Sequence, residues 1–382
     1  MNTPKDELTA LLALTKIEGL GPTGAKLLYK QIGNAKDIFR NHKDLKNIIP
    51  GVNPRLIEAL DDSGSFVLAE NEIKFLEANN IRCLTPDDDK YPKRLFDCND
   101  APLVLYMMGN ANLNATKTVS IVGTRKATEY GLHLCNSFIK ELKMACPDVL
   151  IISGLAYGID IEAHKSCLEC NCSTVGVLAH GLDKIYPSAH RRIAKEMLET
   201  GGVLTEYMSG TTPFATNFVR RNRIIAGLSD AVIVVESAAH GGSLITAEMA
   251  DGYNRECFAF PGCVGDPYSE GCNALIKDNK AALICGTQDF IDAMRWSPSL
   301  NNNNRSQAIQ TSLFNELSVE EEKVLNRLRQ KANGVPVNAL IVDCNICYSR
   351  ITSILFELEM KGLVKRTVGG LYKATTTGVT RQ

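Results

Sequence analysis

The chain has 382 residues, 45% of them apolar, with 42 Lys and Arg against 43 Asp and Glu and a formal net charge of −1. That length and apolar fraction exclude a disordered chain and allow two or three domains with a large core. A total charge so close to zero gives no argument for a nucleic-acid partner, which must instead be sought in local clusters.

No run of 18 apolar residues is present, and Met1-Asn2-Thr3-Pro4-Lys5-Asp6 lacks the apolar centre of an export signal, so a cytoplasmic protein is expected. The 13 cysteines are scattered through strand-like and helix-like segments, which favours reduced thiols over a disulfide framework. Cys167, Cys170 and Cys172 form the tightest group. As a zinc site they would need a fourth ligand, such as His164 one helical turn away; as core or surface thiols they need none.

In chain order, residues 1–80 read as a helical module. Leu11, Leu12, Leu14 and Ile17, then Gly19-Leu20-Gly21-Pro22-Thr23-Gly24, then Ala25, Leu27 and Leu28 give a helix, a hairpin and a second helix. Such a helix-hairpin-helix, or SAM-like, unit presents backbone N–H groups to a phosphate or simply packs against a partner. Leu84 to Leu105, centred on Asp87-Asp88-Asp89-Lys90-Tyr91-Pro92, reads as a linker-like passage into the larger domain, 84–296.

That domain alternates strand and helix. Strands are predicted at Val119–Val122, Leu150–Ile152, Thr174–Leu178, Val203–Thr205, Ala231–Val235, Cys257–Phe260 and Ala282–Ile284. The alternation implies a Rossmann-like, doubly wound, mostly parallel sheet, whose ligands bind beyond the carboxyl ends of the strands. Four glycine-bearing loops fall there: Gly123-Thr124-Arg125, Ser153 to Asp160, Ala179 to Asp183, and Gly241-Gly242-Ser243. None is GxGxxG or GxxxxGK[ST], so neither a nicotinamide fingerprint nor a nucleoside-triphosphate P-loop is written, and no cofactor or metal is assigned.

The most informative stretch runs from Asn217 to Asp251. Phe214, Phe218, Ile225 and Leu228 recur at helical spacing and leave Arg220 and Arg223 pointing elsewhere. Ala231 to Val235 is a β-branched run of a strand covered on both faces. Gly241-Gly242-Ser243 then places free amides and a Ser cap at a helix N-terminus, where anions bind.

Residues 297–312, with Asn301 to Asn304, read as a linker. In 313–376, Ser318 and Glu321 form a capping box, Asn338 to Ile341 suggest a second helix, and Ser349 to Lys361 a third with Ile351, Ile354, Leu355 and Leu358 on one face. Leu363 to Arg366 and Gly369 to Tyr372 make a hairpin. Three helices and a hairpin is a winged helix.

At this point the chain resembles the DprA/Smf family of DNA-processing proteins. The match rests on SIVGTRKATEYG (120–131), SGLAYGIDIEAH (153–164), GLDKIYP (181–187), RRNRIIAGLSDAVIVVE (220–236) and GGSLITAE (241–248), in the family's order and spacing. The resemblance implies a non-enzymatic, homodimeric protein of natural transformation that binds single-stranded DNA, protects incoming strands and helps load the RecA recombinase. It assigns strand contact to Gly123 and Arg125, to Phe218, Arg220, Arg221, Asn222 and Arg223, and to Gly241, Gly242 and Ser243. Within a few positions after Tyr186-Pro187 many members of the family carry a basic or Asn residue, whereas this chain has Ser188-Ala189-His190-Arg191-Arg192, which leaves Arg191 or Arg192 to supply that charge.

Three alternatives stand beside this. Arg125 is also placed to form a structural salt bridge with Asp160 or Glu236. A Rossmann-like nucleotide phosphoribohydrolase would likewise carry a GG loop and a helix with a Glu, here Glu248, and a transcriptional regulator would use only the winged helix. His164, His180 and His240 have no nucleophile placed with them, and Asp160 and Glu236 are expected to order loops.

Overall fold

Successive residues of the central strands point to opposite faces, and here both faces are apolar, so the sheet must be covered on both sides. In the computed structural model, which describes residues 4–45, 54–61, 63–296, 318–331, 334–360, 363–367 and 371–374, that is what happens. Leu150, Ile152, Val232 and Val234 join one buried cluster, while Ile151, Ala231 and Ile233 join another on the opposite face. The nine strands are β1 (Arg82–Leu84), β2 (Leu105–Gly109), β3 (Thr118–Val122), β4 (Leu150–Ser153), β5 (Ser173–Val177), β6 (Gly202–Thr205), β7 (Ala231–Val234), β8 (Glu256–Ala259) and β9 (Ala282–Leu283). Their order is β1-β2-β6-β5-β4-β3-β7-β8-β9. From β6 through to β9 all pairings are parallel; β1 and β2 add an antiparallel edge.

All seven predicted strands are present. The chain winds outward from β3 through β4, β5 and β6 on one side, then restarts at β7 and continues through β8 and β9 on the other. The order reverses between β3 and β7, so their carboxyl ends diverge into a crevice.

The stretch expected as a linker is a correction. Its ends are β1 and β2, separated by the Asp-rich turn and the short helix Lys93–Asp97. Arg94 pins that helix to the start of β7 through a bidentate pair with Asp230 at 2.6 and 3.0 Å. The turn residues masked a three-residue and a five-residue strand too short to show a period of their own.

Nor does the helical module stand apart. Its helices Lys5–Leu14, Pro22–Ile32, Ala35–Arg40, Pro54–Ala59 and Gly64–Ala78 share one apolar cluster with Cys83, Leu103, Val104, Tyr106 and Met208 of the sheet region. Lys26 is buried and donates to the carbonyls of Phe96 and Cys98; the Tyr29 hydroxyl reaches Asp87 at 2.6 Å; Glu72 accepts from the Ser209 amide at 3.0 Å. Residues 1–300 therefore form one compact unit, and 301–382 a second.

The second unit contains helices Val319–Arg329, Val337–Cys344 and Tyr348–Met360 and strands β10 (Val335–Pro336), β11 (Val364–Thr367) and β12 (Leu371–Ala374), ordered β10-β12-β11. The capping box is formed, with Glu321 N–H donating to Ser318 Oγ at 3.2 Å and Ser318 N–H to Glu321 Oε2 at 2.7 Å. Ile351, Ile354, Leu355 and Leu358 are all buried in its core. The predicted linker, 297–312, lies outside the described residues. Among those residues no single helix is long and apolar enough to cross a membrane.

Because each unit has its own apolar clusters, a chain ended at Ser299 is expected to melt cooperatively at the temperature of the large unit in the whole protein. Calorimetry of both checks this, and a broad, non-cooperative transition of the shortened chain contradicts it.

Candidate nucleic-acid interface

The carboxyl ends of β3, β4, β5 and β7 open onto one side of the helix Ala215–Leu228, and that helix organises the site. At 3.6 residues per turn, Phe218 and Asn222 share one face, Arg221 turns inward and Arg220 lies on another side. Phe218 is the meeting point. The Arg125 guanidinium sits over its ring at 5.3 Å, the Tyr186 ring lies 5.9 Å away, and Arg221 lies beneath at 5.9 Å. Asn222 Nδ2 donates to the Gly242 carbonyl at 3.3 Å, joining the helix to the glycine loop after β7.

Arg125 is exposed, and the salt bridge offered as its alternative role is absent among the described residues. Glu236 is already occupied: it accepts from Thr128 N–H at 2.9 Å and the Thr128 hydroxyl at 2.6 Å, and its carbonyl accepts from Thr124 N–H at 2.7 Å. Glu236 thus orders the loop that carries Arg125. Two glycines let the β3 and β4 loops approach. A Cβ at Gly123 would fall 2.5 Å from Ile159 Cγ1, and one at Gly158, where φ is +76°, would fall 2.7 Å from the Arg125 carbonyl carbon.

Arg221 and Arg223 require a correction as phosphate contacts, because both are buried and engaged. Arg221 Nη1 donates to the Gly154 carbonyl at 2.6 Å and to the Val177 carbonyl, fastening the ends of β4 and β5. Asp160, also buried, supplies its counter-charge; burial pushes that carboxyl up while Arg221 opposes the shift. Burial pulls the Arg221 guanidinium down to about 10, still protonated at neutral pH. Arg223 pairs with Glu206 and donates to the Asp100 carbonyl at 2.6 Å. Burial raises Glu206, and Arg223 again opposes.

Ser243 differs from expectation as well. It is buried and its hydroxyl contacts Ser237 Oγ at 2.8 Å; the N-cap of the helix Gly242–Gly252 is Gly241, with no side-chain cap. The amides at this end are left to backbone alone. Of the predicted residues, Arg125, Arg220 and Gly242 are exposed and Gly123, Phe218, Asn222 and Gly241 partly so, whereas Arg221, Arg223 and Ser243 are buried.

Sequence reasoning missed Tyr186 and Tyr157. Tyr186 stands half-exposed against Phe218 because His180, buried, accepts from the Tyr186 amide at 3.2 Å through Nε2 while its Nδ1–H donates to the Gly181 carbonyl at 2.8 Å. Tyr157 is exposed and stacks edge-on against His190 at 4.8 Å. Arg191 and Arg192 are exposed at the start of the helix Arg191–Thr200, with Arg192 3.6 Å from Glu196. The signal that was available is the presence of tyrosines in strand-end loops, where an apolar ring has no reason to be unless it is covered or used.

His164 is fully buried, as are Cys167 and Cys172. Among the described residues no group of three or more His, Cys, Asp or Glu side chains is arranged to hold a metal. The Thr174 hydroxyl donates to the Ile151 carbonyl at 3.1 Å and therefore accepts from His164 Nδ1–H at 2.8 Å, leaving His164 Nε2 as an unpaired acceptor.

Fold and site together define a Rossmann-like α/β protein with a C-terminal winged helix, presenting glycine loops, an arginine and aromatic rings at the switch point of its sheet. Residues 82–295 match the family described as DNA recombination-mediator protein A, and residues 312–370 match the DprA winged helix domain. The chain belongs to the DprA/Smf family, as its motifs suggested. Protein Smf of a Synechocystis strain is 33% identical, over 95% of this chain and 97% of that protein. Protein Smf of Escherichia coli K12 is 35% identical over 79% of each. The X-ray structure of DNA processing protein A from Streptococcus pneumoniae superposes with a TM-score of 0.62 and 31% identity, covering 76% of this chain and 98% of that one. DNA processing protein A from Helicobacter pylori, whose structure is described for its single-stranded DNA binding mode, gives 0.51 and 30%, covering 56% and 95%.

Two outcomes follow from these contacts. Arg221→Ala strands a buried carboxylate and is expected to lower stability by about 3–5 kcal/mol, measured by urea denaturation. The unfolded chain protonates its histidines near pH 6.5, whereas burial holds His164 down to about 3. The unfolded state then binds the proton first, so the contribution of His164 to stability is full above about pH 6.5 and is lost below it, by at most about 1.4 kcal/mol per pH unit, down to about pH 3. His164→Gln is expected to flatten that part of the stability curve.

Proposed function

We propose that this chain binds single-stranded DNA at the β3/β7 switch point and holds it without catalysis. The observation that carries the reading is the assembly of exposed Arg125 and Tyr186 around the partly exposed ring of Phe218, over glycine-bearing loops at the strand ends. A guanidinium suits a phosphate, and aromatic faces stack on unpaired bases of any sequence. The Helicobacter pylori relative, described for its single-stranded DNA binding mode, supports the ligand class. On the strength of the family resemblance the function extends to protecting incoming strands in natural transformation and promoting the loading of RecA recombinase, with the chain acting as a homodimer.

The alternative, nucleotide phosphoribohydrolysis, would draw on Glu248. That residue is exposed on the helix Gly242–Gly252 and lines a groove of about 270 Å³ with Asp251 and Lys280, against the helix Glu270–Lys277. Neither Arg125 nor Phe218 lines that groove. Incubation with nucleoside monophosphates is therefore expected to release no free base; steady release abolished by Glu248→Ala would favour the hydrolase.

Arg125→Ala tests the binding reading. It is expected to weaken single-strand affinity for all base compositions alike and to make the log–log salt slope shallower by about 0.7, since a phosphate contact positions the strand without reading it. Its melting temperature should match the parent's, because Arg125 is exposed, forms no ion pair among the described residues, and leaves Asp160 its main counter-charge, Arg221. An unchanged slope would remove Arg125 from the site.

A further inference from the structure

Arg220 is not part of the Arg125–Phe218 face. Two residues along a helix of about 100° per residue place it about 200° around from Phe218. There it lines a separate cavity of about 470 Å³, whose opposite wall is the hairpin of the helical module, including Lys16, Gly21 and Thr23. The volume falls in the range of small-ligand sites, about 300–1,000 Å³.

Charge in this cavity is sorted. Its two carboxyl-bearing residues, Asp100 and Glu206, are both engaged by Arg223, and Asp100 also accepts from the Tyr253 hydroxyl at 2.7 Å. Lys16 and Arg220 form no ion pair among the described residues. Glu72 attracts Lys16 at longer range, but its carboxylate is held by the Ser209 amide and hydroxyl. Lys16 and Arg220 thus line the cavity from different elements, and Glu206, the carboxylate that draws Arg220 at longer range, is already held by Arg223. The Pro22–Ile32 helix begins at the same wall, and its Gly21 N-cap supplies no side-chain cap, so the amide of Thr23 adds to the positive lining.

A route joins this cavity to the first site. Around the first turns of the helix Ala215–Leu228, the arc between Phe218 and Arg220 carries the exposed residues Ala215, Thr216 and Val219, while Arg223 and Ala226 further along the same arc are buried. With side chains a helix is about 10–12 Å across, so an arc of about 200° is roughly 17–21 Å long, a span of a few nucleotides.

We infer that a single strand leaving the Arg125–Phe218 face crosses the exposed arc of this helix and sets a backbone phosphodiester between Arg220 and Lys16 of the helical module. The inference rests on the single-strand reading above and assigns the hairpin a share of it. It also explains why the module is locked to the sheet by Lys26, Tyr29 and Glu72: a cation can serve a strand held elsewhere only if its position is fixed.

The test uses the whole chain, labelled oligothymidylates of about four and about sixteen nucleotides, a length range typical of single-strand sites, and a salt titration of each. Lys16→Ala and Arg220→Ala are each expected to make the slope for the long oligonucleotide shallower by about 0.7 and to leave the short one, held by the first site, unchanged. Lys16→Gln, with matched melting temperatures, serves if the alanine variant is unstable. An unchanged long-strand slope in both variants, with Arg125→Ala still shallower, overturns the inference and spares the function proposed above. An unchanged slope in Arg125→Ala as well overturns both. Inorganic phosphate and thymidine monophosphate are titrated in parallel; binding of either that depends on Lys16 and is as tight as that of the long oligonucleotide makes the cavity a small-anion site and overturns the strand path.

Discussion

The buried guanidinium of Arg221 is the contact on which the site depends. It bonds the carbonyls of Gly154 and Val177, the two points where β4 and β5 give way to loops, and it faces the buried carboxyl of Asp160. Parallel strands leave their last carbonyls without partners, and in an apolar interior each unmet carbonyl is costly. A planar fork with five donors satisfies two of them at once and fixes the separation of the loops that follow. Phe218 stands above the same guanidinium, so the platform offered to a ligand rests on the group that closes the sheet.

From that floor the surface chemistry is assembled by borrowed constraints. Glu236 shapes the loop that lifts Arg125, His180 holds the amide of Tyr186, and Asn222 ties the helix to Gly242. Each removes freedom from a neighbour, and in the proposed function that lowers the ordering entropy lost when a flexible polyanion binds. Leu155 adds to this rigidity: its φ of +59° is held in place by complete burial in the loop after β4.

The helix Ala215–Leu228 divides the surface rather than presenting one basic face. The run Arg220 to Arg223 looks like a single cationic cluster when written out, yet its members go to three places: a cavity wall, the floor of the site and a buried triad with Asp100 and Glu206. The local charge density of a sequence therefore overstates the charge a strand would meet. What remains exposed is sparse, which suits the proposed hold on a strand by several weak contacts spread over its length rather than by one deep site.

The sequence by itself determined the seven parallel strands, the winged helix and the glycine loops, because each is written in local periodicity and turn chemistry that need no distant partner. It also contained the fate of Arg221, which falls three residues after Phe218 and four before Ile225, within the apolar stripe and therefore inward. Tertiary structure alone decided the rest. Arg223 lies on the outward side of its own helix and is buried only because Asp100 and Glu206 arrive from other elements to cover it. Ser243, read as a cap, falls inside the helix whose N-cap is Gly241, and Ser237, six residues earlier, takes its hydroxyl. The edge strands β1 and β2 are too short to announce themselves and exist because β6 offers β2 an open edge. Burial by a distant segment is a property of packing, and no window of sequence around the buried residue records it.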